Sequence, residues 1–391
     1  MNAPVWSQLA GQEPAVETLA GAAQAAATGA PGGMTHAWLI TGPPGSGRSV
    51  AARTFAAALQ CTEGVGCGQC TGCHTALAGT HADVRTVVPE GLTIGVDEMR
   101  TLVQESARRP TTGQWQIVII EDADRLTEGA GNALLKAVEE PVERTVFLLC
   151  APSDHPDDVS VTIRSRCRLV GLRVPPPSAI ADVLSGRDGI DTTTAEWAGA
   201  VCGGHVGRAR RLATDENARA RRETVLGIPL GLRHQADVFA LADELIDTAE
   251  ADASEESNSR DEQEREELRT AMGAGGTGKA TAGAKRAADA AVKRLEKQQK
   301  SRATRTQRDT LDLALIDLAG FYRDVLITRT ASRATLTHPD HAGDVTTAAR
   351  RWSAESTLRR LEAVLRCRSS LSWNVKPRIA VESMLSELYH G

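Results

Sequence analysis

The segment Gly42-Pro43-Pro44-Gly45-Ser46-Gly47-Arg48-Ser49 stands between an apolar run, Trp38 to Thr41, and a helix-like stretch that begins at Arg48. Strand, glycine-rich turn and helix in that order form a phosphate-binding loop. The glycines let backbone N–H groups converge on an anion, and the helix adds the positive end of its dipole. A chain with this segment is constrained to an α/β fold whose loop sits at the carboxyl edge of a parallel sheet. Arg48 holds the position where such loops ordinarily carry Lys. Its planar fork on a longer stem differs from a compact ammonium, so the spacing predicts phosphate binding with altered geometry and argues against hydrolysis. The competing reading is a plain glycine turn.

The rest of the first half suits that sheet. Val84 to Val88, Ile117 to Ile120, Thr145 to Cys150 and Arg168 to Leu172 each read as a buried strand, with helix-like segments between them. One of those helices, Asn132 to Glu140, should stop at Pro141. After Ile120 come Glu121 and Asp122, at the strand end where a P-loop ATPase holds Mg²⁺ through an Asp and polarises water with the Glu that follows. Here the order is reversed. Each carboxylate is displaced by about one bond length, and catalysis is sensitive at about the 1 Å scale. Two solvated carboxylates at a strand end are the plainer alternative.

At Pro175-Pro176-Pro177 the alternation ends, and the remainder reads as helical. With 391 residues, two or three domains are expected. The composition shifts place an α/β domain at 1–172, a small helical unit at 173–215 and an all-helical domain at 216–391. The last has apolar stripes at Val238 to Ile246, Leu311 to Leu326 and Leu358 to Leu371. Within it, 250–308 is polar and split in charge. Nine acidic and three basic residues lie between Glu250 and Arg269, and ten basic and two acidic between Lys279 and Arg308. Two helical arms attracting each other across Gly273 to Gly278 is one reading, and a disordered insertion is the other.

Cys61-x5-Cys67-x2-Cys70-x2-Cys73 brings four thiolates within reach of one tetrahedral Zn²⁺, at about 2.3 Å Zn–S. Four sulfur ligands make a closed, structural site. A redox Cys-x2-Cys pair is the rival, and His74 reads as a neighbour of the cluster. The other four cysteines are scattered, which suits a reducing compartment. No Lys or Arg precedes Arg48 and no apolar run approaches the roughly 18 residues of a membrane span, so the cytoplasm is the expected location. The 45 basic and 50 acidic residues give a net charge of −5. That balance excludes a protein that coats nucleic acid by bulk charge, so any DNA contact must be local or shared. Thr162 to Cys167 places arginines at a strand edge, where physics alone favours solvated surface groups.

Taken together, several segments resemble the bacterial clamp-loader AAA+ family of DNA polymerase III. They are Leu9-Ala-Gly-Gln12, His36 to Gly42, the loop, the four cysteines, Glu121 to Leu126, Asn132 to Pro141 and Ser165-Arg166-Cys167. The likeness is dense over residues 5 to 215 and looser from Leu358 to Tyr389. It implies an AAA+ sheet domain with a zinc module, a helical lid and a C-terminal helical collar. It also implies that Gly42 through Ser49, Glu121 and Asp122 face ATP or ADP with Mg²⁺, and that Arg208 matches the second sensor arginine of the lid. Arg166 would be the arginine finger that completes an adjacent subunit's ATP site. The implied partners are motor subunits (γ/τ) and δ in a hetero-pentamer, a sliding clamp and primer-template DNA, at a nucleoid-associated replisome. The departures at Arg48 and Glu121-Asp122 favour a stator-like member that is no catalyst alone. An ATP-hydrolysing motor, with Asp122 as base, is the alternative, and a stand-alone phosphotransferase is a further rival.

Overall fold

In the computed structural model, residues 4–30, 33–89, 91–271, 281–373 and 375–391 are described. They fold as two compact units, 1–214 and 215–391.

The first unit is built on five parallel strands: β1 (Ala37–Thr41), β2 (Val84–Val87), β3 (Gln116–Ile120), β4 (Thr145–Ala151) and β5 (Arg168–Gly171), in the order β2-β3-β4-β1-β5. All five expected strands are present. Alternation along them feeds two cores. Trp38, Ile40, Ile117, Ile119, Val146 and Leu148 pack on one face, and Leu39, Val118, Ile120, Phe147 and Leu149 on the other. A sheet buried on both faces accounts for the near-continuous apolar runs.

Helices α1 (Glu13–Thr28), α2 (Arg48–Leu59), α3 (Thr71–Ala78), α4 (Val96–Ser106), α5 (Glu128–Glu139) and α6 (Val161–Arg164) accompany the sheet. Trp38 of β1 meets Phe55 of α2 edge to face, with ring centroids 5.1 Å apart, which fixes both ends of the loop between them. The Thr127 hydroxyl accepts from the Ala130 amide to start α5, which runs to Glu139, two residues before Pro141. Helices α7 (Pro177–Gly186), α8 (Thr192–Val201) and α9 (Val206–Thr214) form a small bundle around Ile180, Leu184, Ala195, Ala198 and Ala209.

The second unit holds α10 (Glu216–Gly231), α11 (Gln235–Ala271), α12 (Thr281–Arg329), α13 (Ala342–Arg351), α14 (Ala354–Ser372) and α15 (Pro377–His390). Its core takes Leu311, Leu315, Leu318, Tyr322 and Val325 from one face of α12. Along α14 the buried apolar positions are Ala363, Val364, Cys367 and Leu371, whereas Leu358 and Leu365, one heptad apart, are exposed. The Asp324 carboxylate accepts the Thr337 and His338 amides at 2.9 and 2.7 Å and so pins the segment after α12. The charge-split stretch is helical on both arms, which run antiparallel. Arg302 pairs with Asp261 and Glu264 at 2.6 Å each, and Gln307 donates to Glu250 at 2.9 Å. Gly273 to Gly278, the expected turn, lies outside the described residues. Among the described residues, no helix is long and apolar enough to cross a membrane.

Candidate nucleotide site and cysteine cluster

The loop 42–49 leaves β1 and enters α2, with Gly45 and Gly47 at φ of 83° and 95°, a region that L side chains rarely adopt. Ser46 is buried, and its hydroxyl and one terminal nitrogen of Arg48 have no hydrogen-bond partner. Two buried polar groups left open inside such a loop suit an anion. At the end of β3, Asp122 turns the chain with φ of 53°. Both carboxylates face arginines of α2: Arg48 lies 3.8 Å from Asp122, and Arg53 lies 3.4 Å from Glu121. Asp124, which sequence reading passed over, is close by. Its carboxyl is pushed up by burial and then by the charge of Asp122, and one of its oxygens is buried without a partner.

Two residues tie the loop to the bundle. Gln12 donates to the Ser46 carbonyl at 3.3 Å and to the Arg173 carbonyl at 2.6 Å, and accepts from the Arg173 amide at 3.0 Å. His205 precedes α9, and a Cβ built on Gly45 would fall 2.4 Å from its Cγ and 2.6 Å from its Cα. The imidazole Nδ1 of His205 accepts the Arg208 amide at 3.1 Å, capping α9. Burial lowers the His205 pKa, and the charges of Arg208 and Arg48 lower it further, so the neutral ring is favoured. Through its amide, Arg208 ties the first turn of α9 to the histidine that faces Gly45. Gln12 stood inside a motif segment of the sequence, but the partners of its side chain are distant in the chain, as Gly45 is from His205.

Arg166 has a different neighbourhood. It pairs with Glu139 at the end of α5 at 2.5 Å, and donates to the Thr162 carbonyl and the Ser165 hydroxyl. None of these belongs to the loop. Its side chain is 37% exposed, so the guanidinium is accessible from the edge of the unit.

Helix α2 also leads to the cysteines. Cys61 lies two residues past its end, Cys73 donates to the Ala57 carbonyl at 3.4 Å, and a Cβ on Gly72 would strike the Gln60 carbonyl. All four sulfurs lie within 4.8 Å of one another, and Cys61 and Cys70 are 3.9 Å apart. Tetrahedral Zn–S bonds of about 2.3 Å place sulfurs about 3.8 Å apart, so this donor set fits zinc. Amides of Cys67, Cys70 and Cys73 each donate to the preceding sulfur of the series. Burial opposes ionisation of Cys70, but the Cys73 and Thr62 amides outweigh it and bring its pKa down to about 6. Burial raises Cys73 instead. His74 is not part of the cluster.

Residues 16–176 match the family model described as DNA polymerase III, delta subunit. The Escherichia coli K12 DNA polymerase III subunit delta′ is 35% identical over 191 residues, 48% of this chain and 57% of that protein. Over this region the chain is similar to DNA polymerase III δ′ subunits. It thus spans little more than half the length of that δ′ relative. A γ/τ subunit from Mycobacterium tuberculosis H37Rv is 32% identical over 158 residues, 39% of this chain and 27% of that one. Among solved structures, a DNA polymerase III γ subunit-related protein from Thermotoga maritima covers 90% of this chain and 94% of its own, with 16% identity and a TM-score of 0.39.

Proposed function

We propose that the chain is the stator-like δ′ subunit of a DNA polymerase III clamp loader, acting by position and not by turnover. The observation that carries this reading is the state of charge at the loop in a chain with δ′ family sequence: Arg48 and Arg53 are engaged with Asp122 and Glu121, the two carboxylates a motor would need for Mg²⁺ and for water. The loop, Glu121, Asp122 and Arg208 would face a bound nucleotide without cleaving it, and the nucleotide would supply phosphate charge that helps hold the bundle against the sheet. Arg166 would exchange Glu139 for the phosphates at a neighbouring subunit's ATP site, adding positive charge where the transition state develops negative charge. Cys61, Cys67, Cys70 and Cys73 would hold a structural zinc, which cross-links the segment after α2. The second unit would join the collar of a hetero-pentamer with γ/τ and δ, which opens a sliding clamp at primer-template DNA. DNA contact shared around a ring suits a net charge of −5. The likeness to γ/τ proteins favours a motor as the second reading.

Arg166→Ala in the reconstituted loader tests the proposal. Folding should be unchanged, and turnover at the one site served by Arg166 should fall on the order of 10³-fold. Unchanged turnover excludes the finger.

A further inference from the structure

We propose that His205 gates the phosphate loop: an anion binds residues 42–49 only after the imidazole has left Gly45. This rests on reading 42–49 as a phosphate loop, and it adds a residue to which neither the loop motif nor the family match assigns a role.

The geometry is specific. Gly203 and Gly204, at φ of 65° and 85°, bend the chain just before His205, and Gly204 itself packs so closely that a Cβ would meet Val174 at 2.2 Å. The turn brings both the backbone and the ring of His205 onto Gly45. No residue other than glycine could stand at position 45 with His205 there. His205 touches Gly45 of the loop through Cα, Cβ and Cγ and the first turn of α9 through Nδ1, and each of those two elements attracts anions. One is the loop, with the unpartnered Ser46 hydroxyl and Arg48 nitrogen. The other is the N-terminus of α9, whose Arg208 amide donates to His205 Nδ1. A neutral imidazole satisfies that amide as an acceptor but brings no charge to Arg48. A phosphate oxygen could replace Nδ1 as the acceptor for the Arg208 amide and also answer Ser46 and Arg48. The two ligands of the site, one internal and one external, are therefore mutually exclusive. An internal group that must be displaced lowers the apparent affinity by the fraction of molecules in which it is out of the way.

The test separates the cap from the plug. Asn caps helices well and is smaller than His, so His205→Asn keeps an acceptor for the Arg208 amide and removes the ring atoms beyond Cγ, whereas His205→Ala also removes the Cγ that faces Gly45. Binding of Mg-ADP to the full-length chain is measured by calorimetry for wild type, His205→Asn, His205→Ala and the double variant Arg48→Ala/His205→Asn, with thermal melts to confirm folding. The expected result is at least about a tenfold gain in affinity in His205→Asn, lost again in the double variant. His205→Ala should also gain, and it serves as the readout if His205→Asn melts abnormally. Equal affinity in wild type and the single variants, or no binding in any, overturns the gate. A gain that survives Arg48→Ala overturns the assignment to this loop. Either failure leaves the Arg166 experiment, and the stator reading it tests, untouched.

Discussion

Helix α2 has the glycine-rich loop 42–49 at its first turn and a nest of four sulfurs just past its last, and the two ends treat their polar groups in opposite ways. At the N-terminal end, guanidinium and carboxylate side chains pair with each other, Arg48 with Asp122 and Arg53 with Glu121, and His205 is seated on Gly45. At the C-terminal end, the sulfurs of Cys61, Cys67, Cys70 and Cys73 turn toward one point; the first three accept backbone amides, and Cys73 donates to the Ala57 carbonyl. Groups of opposite charge can satisfy one another and need no ligand. Groups of one kind cannot, and converge at a cost unless an ion joins them. The cysteine end thus depends wholly on something from outside, while the loop end balances its side-chain charges within the chain and leaves only the Ser46 hydroxyl and one Arg48 nitrogen open.

The largest effect that would sharpen this contrast is at the sulfurs. Cys70→Ser should lose bound zinc, measured by elemental analysis, and lower the melting temperature on the order of 10 °C, because structural metal contributes directly to folding. A zinc-free variant that melts like wild type would show that the sulfurs do not need the ion.

Between the two ends in size is Asp83, buried beside the sheet. Its carboxylate accepts amide and hydroxyl hydrogen bonds from Thr111 and Thr112 and an amide from Gly113, at 2.6 to 2.9 Å. Burial would raise its pKa, but those donors hold it well below the usual carboxylate range. Asp83→Asn turns an acceptor oxygen into an NH₂ facing donors and should cost about 2 kcal/mol at neutral pH, read from denaturant midpoints. A folded pKa below the unfolded one contributes stability that is full above about pH 4 and is lost as pH falls below it. The gap between wild type and Asp83→Asn should therefore shrink below about pH 4. A constant gap across that range would remove the charged hydrogen bonds from the account.

The smallest effect is at the loop. Asp122→Asn keeps a residue that tolerates the left-handed backbone and removes only the charge opposite Arg48, so it should cost about 1 kcal/mol or less. A loss as large as that of Cys70→Ser would break the contrast between the two ends.

The same physics explains what could be read from the chain. The five strands follow from alternation and from apolar runs that a doubly covered sheet requires, and the four sulfurs follow from spacing, because thiolates in that pattern have a metal as their natural common ligand. The loop was legible as a motif, yet the pairing of Arg48 with Asp122 and Arg53 with Glu121 depends on where β3 lies relative to α2, with β4 between β3 and β1. His205 is 160 residues from Gly45, and no local pattern distinguishes it from the rest of its glycine-rich turn. Glu139 beside Arg166 was hidden likewise, since α5 and the segment after α6 meet only in the folded unit. Along α12, regular apolar spacing marked the core face, and on α14 Leu358 and Leu365 show that an apolar residue need not be buried.

The central claim is that this chain positions and does not turn over ATP. It is tested most directly by measuring ATP hydrolysis of the purified chain alone with Mg²⁺ and primed DNA, with Arg48→Ala as the control for contaminating activity. The account predicts hydrolysis no greater than that of the Arg48→Ala protein. Hydrolysis by wild type that disappears in Arg48→Ala would make the loop a working ATPase site and contradict it.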